Sequence, residues 1–114
     1  MGGGVTKLVV AIVQAEDAAG LVGALVARGI GVTRIDTAGG FLKAGNATIL
    51  SGIREEQLPE VLTAIQEKCQ TRTQLVTVLP AFPGPEGVYL PEPLEVEVGG
   101  AIVFLLDVEQ LVHL

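Results

Sequence analysis

Three glycines, an aromatic ring, a lysine and an asparagine crowd into residues 37–48, TAGGFLKAGNAT, where the chain carries groups able to do more than fold. Glycine lacks Cβ and adopts positive φ, so Gly39, Gly40 and Gly45 can bring backbone N–H groups close to an anion such as phosphate. Phe41 offers a flat face for stacking on a base, and Lys43 a positive charge. Asn46 has an amide that both donates and accepts, which suits the edge of an adenine. Together these groups are the makings of a nucleotide pocket. Residue types alone leave an alternative open, a glycine-rich hairpin whose Phe41 is core.

Other chemistry is thinly represented. Cys69 and His113 are each the sole residue of their type, and neither His-x-x-x-His nor Cys-x-x-Cys spacing occurs, so no metal site is expected. His113 is penultimate and reads as a solvated imidazole, with a ligand contact from the chain end as the alternative. Glu55 and Glu56 open a helical segment, where acids suit the dipole, and Glu95 and Glu97 alternate along a strand. Neither pair is arranged as a general acid with a general base. Without a phosphate loop or a dinucleotide fingerprint, no catalytic residue stands out and the chain reads as a non-enzyme. One enzyme class is still to be weighed: acylphosphatases work with an arginine and an asparagine, and Arg34, Arg54 and Asn46 are present.

The elements that must position these residues follow from periodicity. KLVVAIV at residues 7–13 is apolar at successive positions and β-branched, which predicts a central strand covered on both faces. Asp17 is a candidate helix cap, followed by Leu21, Val22, Leu25 and Val26 at helical spacing and a stop at Arg28 and Gly29. Residues 30–36 and 48–53 predict two strands joined by the glycine-rich connection, a hairpin with a long tip. Residues 55–69 place Leu58, Val61, Leu62, Ile65 and Cys69 on one helical stripe, with Pro59 in the first turn and the thiol buried. A fourth strand is expected over residues 73–79.

Five of the six prolines then fall at Pro80, Pro83, Pro85, Pro91 and Pro93, which predicts a long irregular loop over residues 80–93. An alternating strand at 94–98, a glycine pair at Gly99 and Gly100, and a doubly apolar strand at 101–108 complete the chain. This order predicts an α+β, ferredoxin-like βαββαβ domain with a β addition at the end. Its helices would cover one sheet face and leave the other, also apolar, for other subunits.

A length of 114 residues fits one domain over 1–114, with residues 1–4 as a flexible start. The net charge of −6 and pI near 4.6 exclude a DNA or RNA surface but not a small anion held by local donors. Mean hydropathy is high at +0.56, yet no apolar run nears the roughly 18 residues of a membrane span. Oligomerisation is the natural outlet for so much apolar surface. A lone cysteine and the lack of a secretory pattern predict a cytoplasmic protein.

With these residues in view, the chain resembles the PII-like cyclic-di-AMP receptors, small bacterial signal-transduction proteins. The resemblance is carried by KLVVAIVQ (7–14), GGFLKAGN with Thr48, EKCQTR before the fourth strand, LPEPLEVEVGGA (90–101) and VFLLDVE (103–109). It implies a ferredoxin-like homotrimer with cyclic-di-AMP, and no cofactor, in each of three clefts between subunits. It further implies a signal relayed through loops to a downstream protein whose identity the sequence does not give. By resemblance Thr33 lies near the phosphates, Gly40 belongs to the motif backbone, Phe41 and Leu42 frame the bases, and Asn46 and Gly52 complete that side. Phe104 reaches the ligand across the cleft. Gly31 stands where relatives often carry an arginine or another long polar side chain, which leaves Arg34 or Lys43 as substitutes. Standard PII proteins share the fold with a different loop, so a sensor of ATP, ADP or AMP is the alternative reading.

Overall fold

A run apolar at every position suits the interior of a sheet, and the first such run becomes an inner strand. The computed structural model describes residues 4–37, 45–78 and 92–114. In it β1 (Lys7–Gln14) lies between β3 (Asn46–Ile53) and β6 (Ala101–Asp107), with β2 (Thr33–Thr37) outside β3. All three pairings are antiparallel, giving one sheet in the order β2-β3-β1-β6.

Helix α1 (Ala15–Ala27) follows β1 directly. Asp17 is not its cap: the helix begins two residues earlier, which puts Glu16 and Asp17 in the first turn, where the positive end of the dipole favours them. At the other end Gly29 takes φ +75°, its N–H donates to the Val26 carbonyl at 2.9 Å, and Ile30 N–H donates to the Leu25 carbonyl at 3.0 Å. That paired arrangement closes the helix and lets buried Ile30 lie over buried Leu25. The second helical segment divides into a 3-10 turn, Glu55–Gln57, and α2 (Leu58–Lys68). The Gln57 side chain accepts the Arg54 N–H at 2.9 Å, and Pro59 falls in the first turn of α2, where its missing N–H costs nothing.

Both helices pack on one sheet face. Val9, Ala11 and Val13 of β1 and Ala47, Ile49 and Ile53 of β3 meet Ala18, Leu21 and Leu25 of α1 and Val61, Ala64 and Ile65 of α2. Burial of each larger aliphatic contributes about 1.5–3 kcal/mol, so this layer is the main source of stability. Cys69 completes the stripe as expected, and burial pushes its thiol up to about 11.

Strands β4 (Arg72–Val78) and β5 (Glu92–Val98) pair with each other and not with the main sheet. The expected order is corrected here. The β addition is this inserted hairpin, and β6 takes the sheet position beside β1. Pro93 lies inside β5 opposite Thr77 rather than in the loop, which a two-stranded ribbon tolerates because each strand has a free edge. The hairpin extends from its base in a molecule measuring 70 × 24 × 19 Å. Two helices on one side of an antiparallel sheet is consistent with a ferredoxin-like fold.

Candidate functional site

Strand alternation sorts the sheet residues into two faces, and cross-strand partners share a face. Opposite the helices, one row runs Thr33, Leu50, Val10, Phe104 across β2, β3, β1 and β6. The adjoining row toward one end is Gly52, Leu8, Leu106, and toward the other Ile35, Thr48, Ile12, Ile102. This face is apolar and largely uncovered: Ile35, Phe104 and Leu106 are 44%, 46% and 46% exposed, while Ile12 in its middle is buried. The expectation that β6 is buried on both sides therefore fails within one chain, because β6 is an edge strand.

Thr33, Gly52 and Phe104 thus share the helix-free face. Thr33 and Gly52 are near neighbours on adjacent strands, and a Cβ on Gly52 would lie 3.2 Å from the Val5 side chain, so Val5 packs close to the backbone there. Phe104 is three strand spacings from Thr33, about 14 Å away. Asn46 is the first residue of β3, not part of an exposed connection; it is paired with Gln14 and Thr37 and only 4% exposed. It stands six positions before Gly52, about 20 Å along the strand. Gly40, Phe41 and Leu42, with Lys43, lie outside the described residues.

Arg34 does not substitute for the missing long side chain at Gly31. It pairs with Ile49, on the face opposite Thr33, and its Nε donates to Asp36 Oδ1 at 3.0 Å. The Ser51 hydroxyl donates to the Gly31 carbonyl at 2.8 Å, fixing the approach to β2. A Cβ on Gly31 would meet nothing within 4 Å. Arg54 pairs with Glu56 at 3.0 Å just beyond β3, at the end opposite Asn46, so the acylphosphatase set is not gathered in one place. His113 is exposed. Among the described residues no group of three or more His, Cys, Asp or Glu could hold a metal ion, and no helix is long and apolar enough to cross a membrane.

A groove of about 580 Å³ lies elsewhere, lined by Leu62, Ile65, Cys69, Ala101 and Val103 among others. Ala101 and Val103 pair with Val13 and Ala11, so the groove belongs to the helix-covered side and not to the candidate residues.

The structure adds polar residues that sequence reasoning passed over. Gln14, at the end of an apolar strand, is 2% exposed and accepts the Gly99 N–H on Oε1 at 2.6 Å. Arg72 donates to Glu16 Oε1 at 2.8 Å and to Asp17 Oδ1 at 3.0 Å. The Asp17 bond, then the charges of Asp17 and Glu16, hold the guanidinium above its ordinary value. A glutamine closing the run KLVVAIV was the available signal, since a strand end that only needed an apolar side chain would not carry an amide.

Among solved structures, a crystal structure of a functionally unknown protein from Pediococcus pentosaceus is similar to this one, with 38% sequence identity and a TM-score of 0.74. The match covers 98% of this chain and 100% of that one. The family model described as "Cyclic-di-AMP receptor" matches residues 6–114, from the start of β1 through the last residue. The chain belongs to the cyclic-di-AMP receptor family.

Proposed function

We propose that this protein is a cytoplasmic receptor that binds cyclic-di-AMP in clefts between the chains of a homotrimer and relays the signal to a protein partner through its loops. Family membership supports the ligand. The observation that carries the intersubunit site is the separation of Thr33 and Phe104, which share a face but stand at opposite edges of the sheet. A threonine and a phenylalanine about 14 Å apart do not close on one base and its phosphate, whereas Phe104 of a second copy can stand beside Thr33 of the first. The uncovered apolar face provides the surface for such an assembly.

In this reading the Thr33 hydroxyl and the backbone amides of Gly40 and Gly52 receive phosphate, Phe41, Leu42 and Phe104 wall the purines, and Asn46 answers the adenine edge. The protein binds and does not catalyse, and it needs no cofactor. Isothermal titration against cyclic-di-AMP, cyclic-di-GMP, ATP, ADP and AMP tests the ligand. Cyclic-di-AMP is expected to bind best, and Phe41→Ala to weaken it by roughly ten- to hundredfold, the loss of one base stack worth about 1–3 kcal/mol. No heat with cyclic-di-AMP at high micromolar concentration would remove the proposal, and tighter binding of ATP, ADP or AMP would replace the ligand.

A further inference from the structure

The turn from β1 into α1 is gripped from two directions. On one side Ala15 N–H donates to the Gly45 carbonyl at 2.8 Å, and Gln14 pairs with Asn46 in the β1–β3 register. These are the residues at which the glycine-rich connection enters β3. On the other side Gln14 Oε1 accepts the Gly99 N–H at 2.6 Å, while Glu16 and Asp17 hold Arg72. Gly99 follows β5 and Arg72 opens β4, so both strands of the hairpin are held at their base by residues 14–17.

The hairpin base is itself a tight backbone crossing. Gly99 and Gly100 take φ +86° and +80°, and a Cβ on Gly99 would lie 2.1 Å from the Gln70 carbonyl oxygen. Gly100 N–H donates to the Cys69 carbonyl at 2.6 Å, and Arg72 Nη1 donates to the Gln70 carbonyl at 3.0 Å. Two consecutive left-handed glycines can absorb a rotation that other residues could not. The Gln14 amide, almost fully enclosed, has no such freedom. A displacement of Gly45 and Asn46 is carried by ladder hydrogen bonds to Gln14 and Ala15, and Gly99 must then follow or give up its acceptor.

We infer that the β1–α1 junction, residues 14–17, couples ligand occupancy beside Asn46 to the orientation of the β4–β5 hairpin, with Gln14 and Arg72 as positioning residues. This rests on the proposed cyclic-di-AMP site and deepens it by naming the connection to an output arm. That arm carries exposed apolar side chains, Leu75 at 70% and Leu94 at 50%, suited to contact with a protein partner.

Hydrogen exchange on the full chain, with and without saturating cyclic-di-AMP, reads both ends of the coupling, and titration calorimetry on the same samples reads affinity. In the wild type the ligand is expected to change exchange several-fold both at residues 45–50 and at residues 70–75 with 96–100. Gln14→Met keeps the volume and loses the acceptor, and Arg72→Gln removes the guanidinium from a side chain already 36% exposed. Each is expected to bind within about threefold of wild type, to keep the response at 45–50, and to lose it at 70–75 and 96–100. Gln14→Glu, which retains an acceptor oxygen, should restore it. Should Gln14→Met not fold, Arg72→Gln carries the test alone. Binding with a hairpin that does not respond in the wild type, or still responds in Arg72→Gln, overturns the coupling and spares the ligand. A wild type that binds no cyclic-di-AMP overturns both.

Discussion

The two faces of the four-stranded sheet are alike in composition and opposite in fate. Facing the helices, Val9, Ala11, Val13, Ala47, Ile49 and Ile53 are all at most 2% exposed. On the reverse, Ile12 is buried, Leu8, Val10 and Leu50 are half-buried, and Ile35, Phe104 and Leu106 are open. A strand with one solvated face would alternate with polar residues; β1 does not. The lesson is that apolar residues on both faces call for two burials, of which the chain by itself completes one.

The largest test of that difference compares equivalent truncations on the two faces. Ile49→Ala removes a side chain sealed under the helices and should cost about 2–5 kcal/mol in urea unfolding at any protein concentration. Leu106→Ala, on the open face, should cost under about 1 kcal/mol where chains are dilute, and, if the proposed trimer forms over this face, more as concentration rises. A concentration-independent cost at Leu106 would mean that this face is not an interface.

Much of this was legible in the sequence, and the misses have physical causes. Residues 7–14 and the stripe through Cys69 declared themselves because periodicity reports burial directly. The start of β3 did not: Gly45 and Asn46 look like turn residues, yet Asn46 is held in a ladder between β1 and β2, and tertiary pairing overrode local preference. The place of β6 was missed for a related reason. Pattern identifies a strand but not its neighbour, and only the register with β1 shows that β6 enters the sheet while β4 leaves it. Of the candidate site, Thr33, Gly52 and Phe104 came from resemblance, and the structure contributes their common face. Gln14 and Arg72 stood inside segments that carry the resemblance, but their role went unread because the partners Gly99, Glu16 and Asp17 are distant in sequence or on another element.

A second test adds chemistry to the open face without disturbing the covered one. Gly31 has a negative φ and open space where its Cβ would be, so a side chain can be introduced without strain. The Ser51 hydroxyl donates to the Gly31 backbone carbonyl, so a side chain added at 31 leaves that bond in place. Gly31→Arg places a guanidinium two residues before Thr33, and a charge-assisted bond to a ligand phosphate should tighten cyclic-di-AMP by about tenfold or more. Calorimetry at two salt concentrations checks it, since the gain should shrink at high salt. Unchanged affinity would place the phosphates away from this end of β2.

The smallest effect belongs where the helix cover runs out. In the last row of the covered face Ile53 pairs with Lys7 and Lys7 with Asp107, so a buried aliphatic gives way to an ion pair at the sheet edge. The Lys7 hydrogen bond, then its charge, holds the Asp107 carboxyl below the ordinary value of 3.8, and Asp107 in turn raises Lys7 above 10.5. A depressed carboxyl stabilises the fold above its unfolded value, and that contribution disappears as pH falls through the folded one. The raised lysine contributes below its unfolded value and ceases to as pH rises through the folded one. The pair therefore acts between these limits, weakly, because Asp107 is 85% exposed and salt screens it. Asp107→Asn should lower the thermal midpoint slightly at neutral pH, and the difference from wild type should close as pH falls through the depressed carboxyl value and in high salt. A difference that persisted in acid would assign the role of Asp107 to packing rather than charge, and the covered face would then extend to the strand ends.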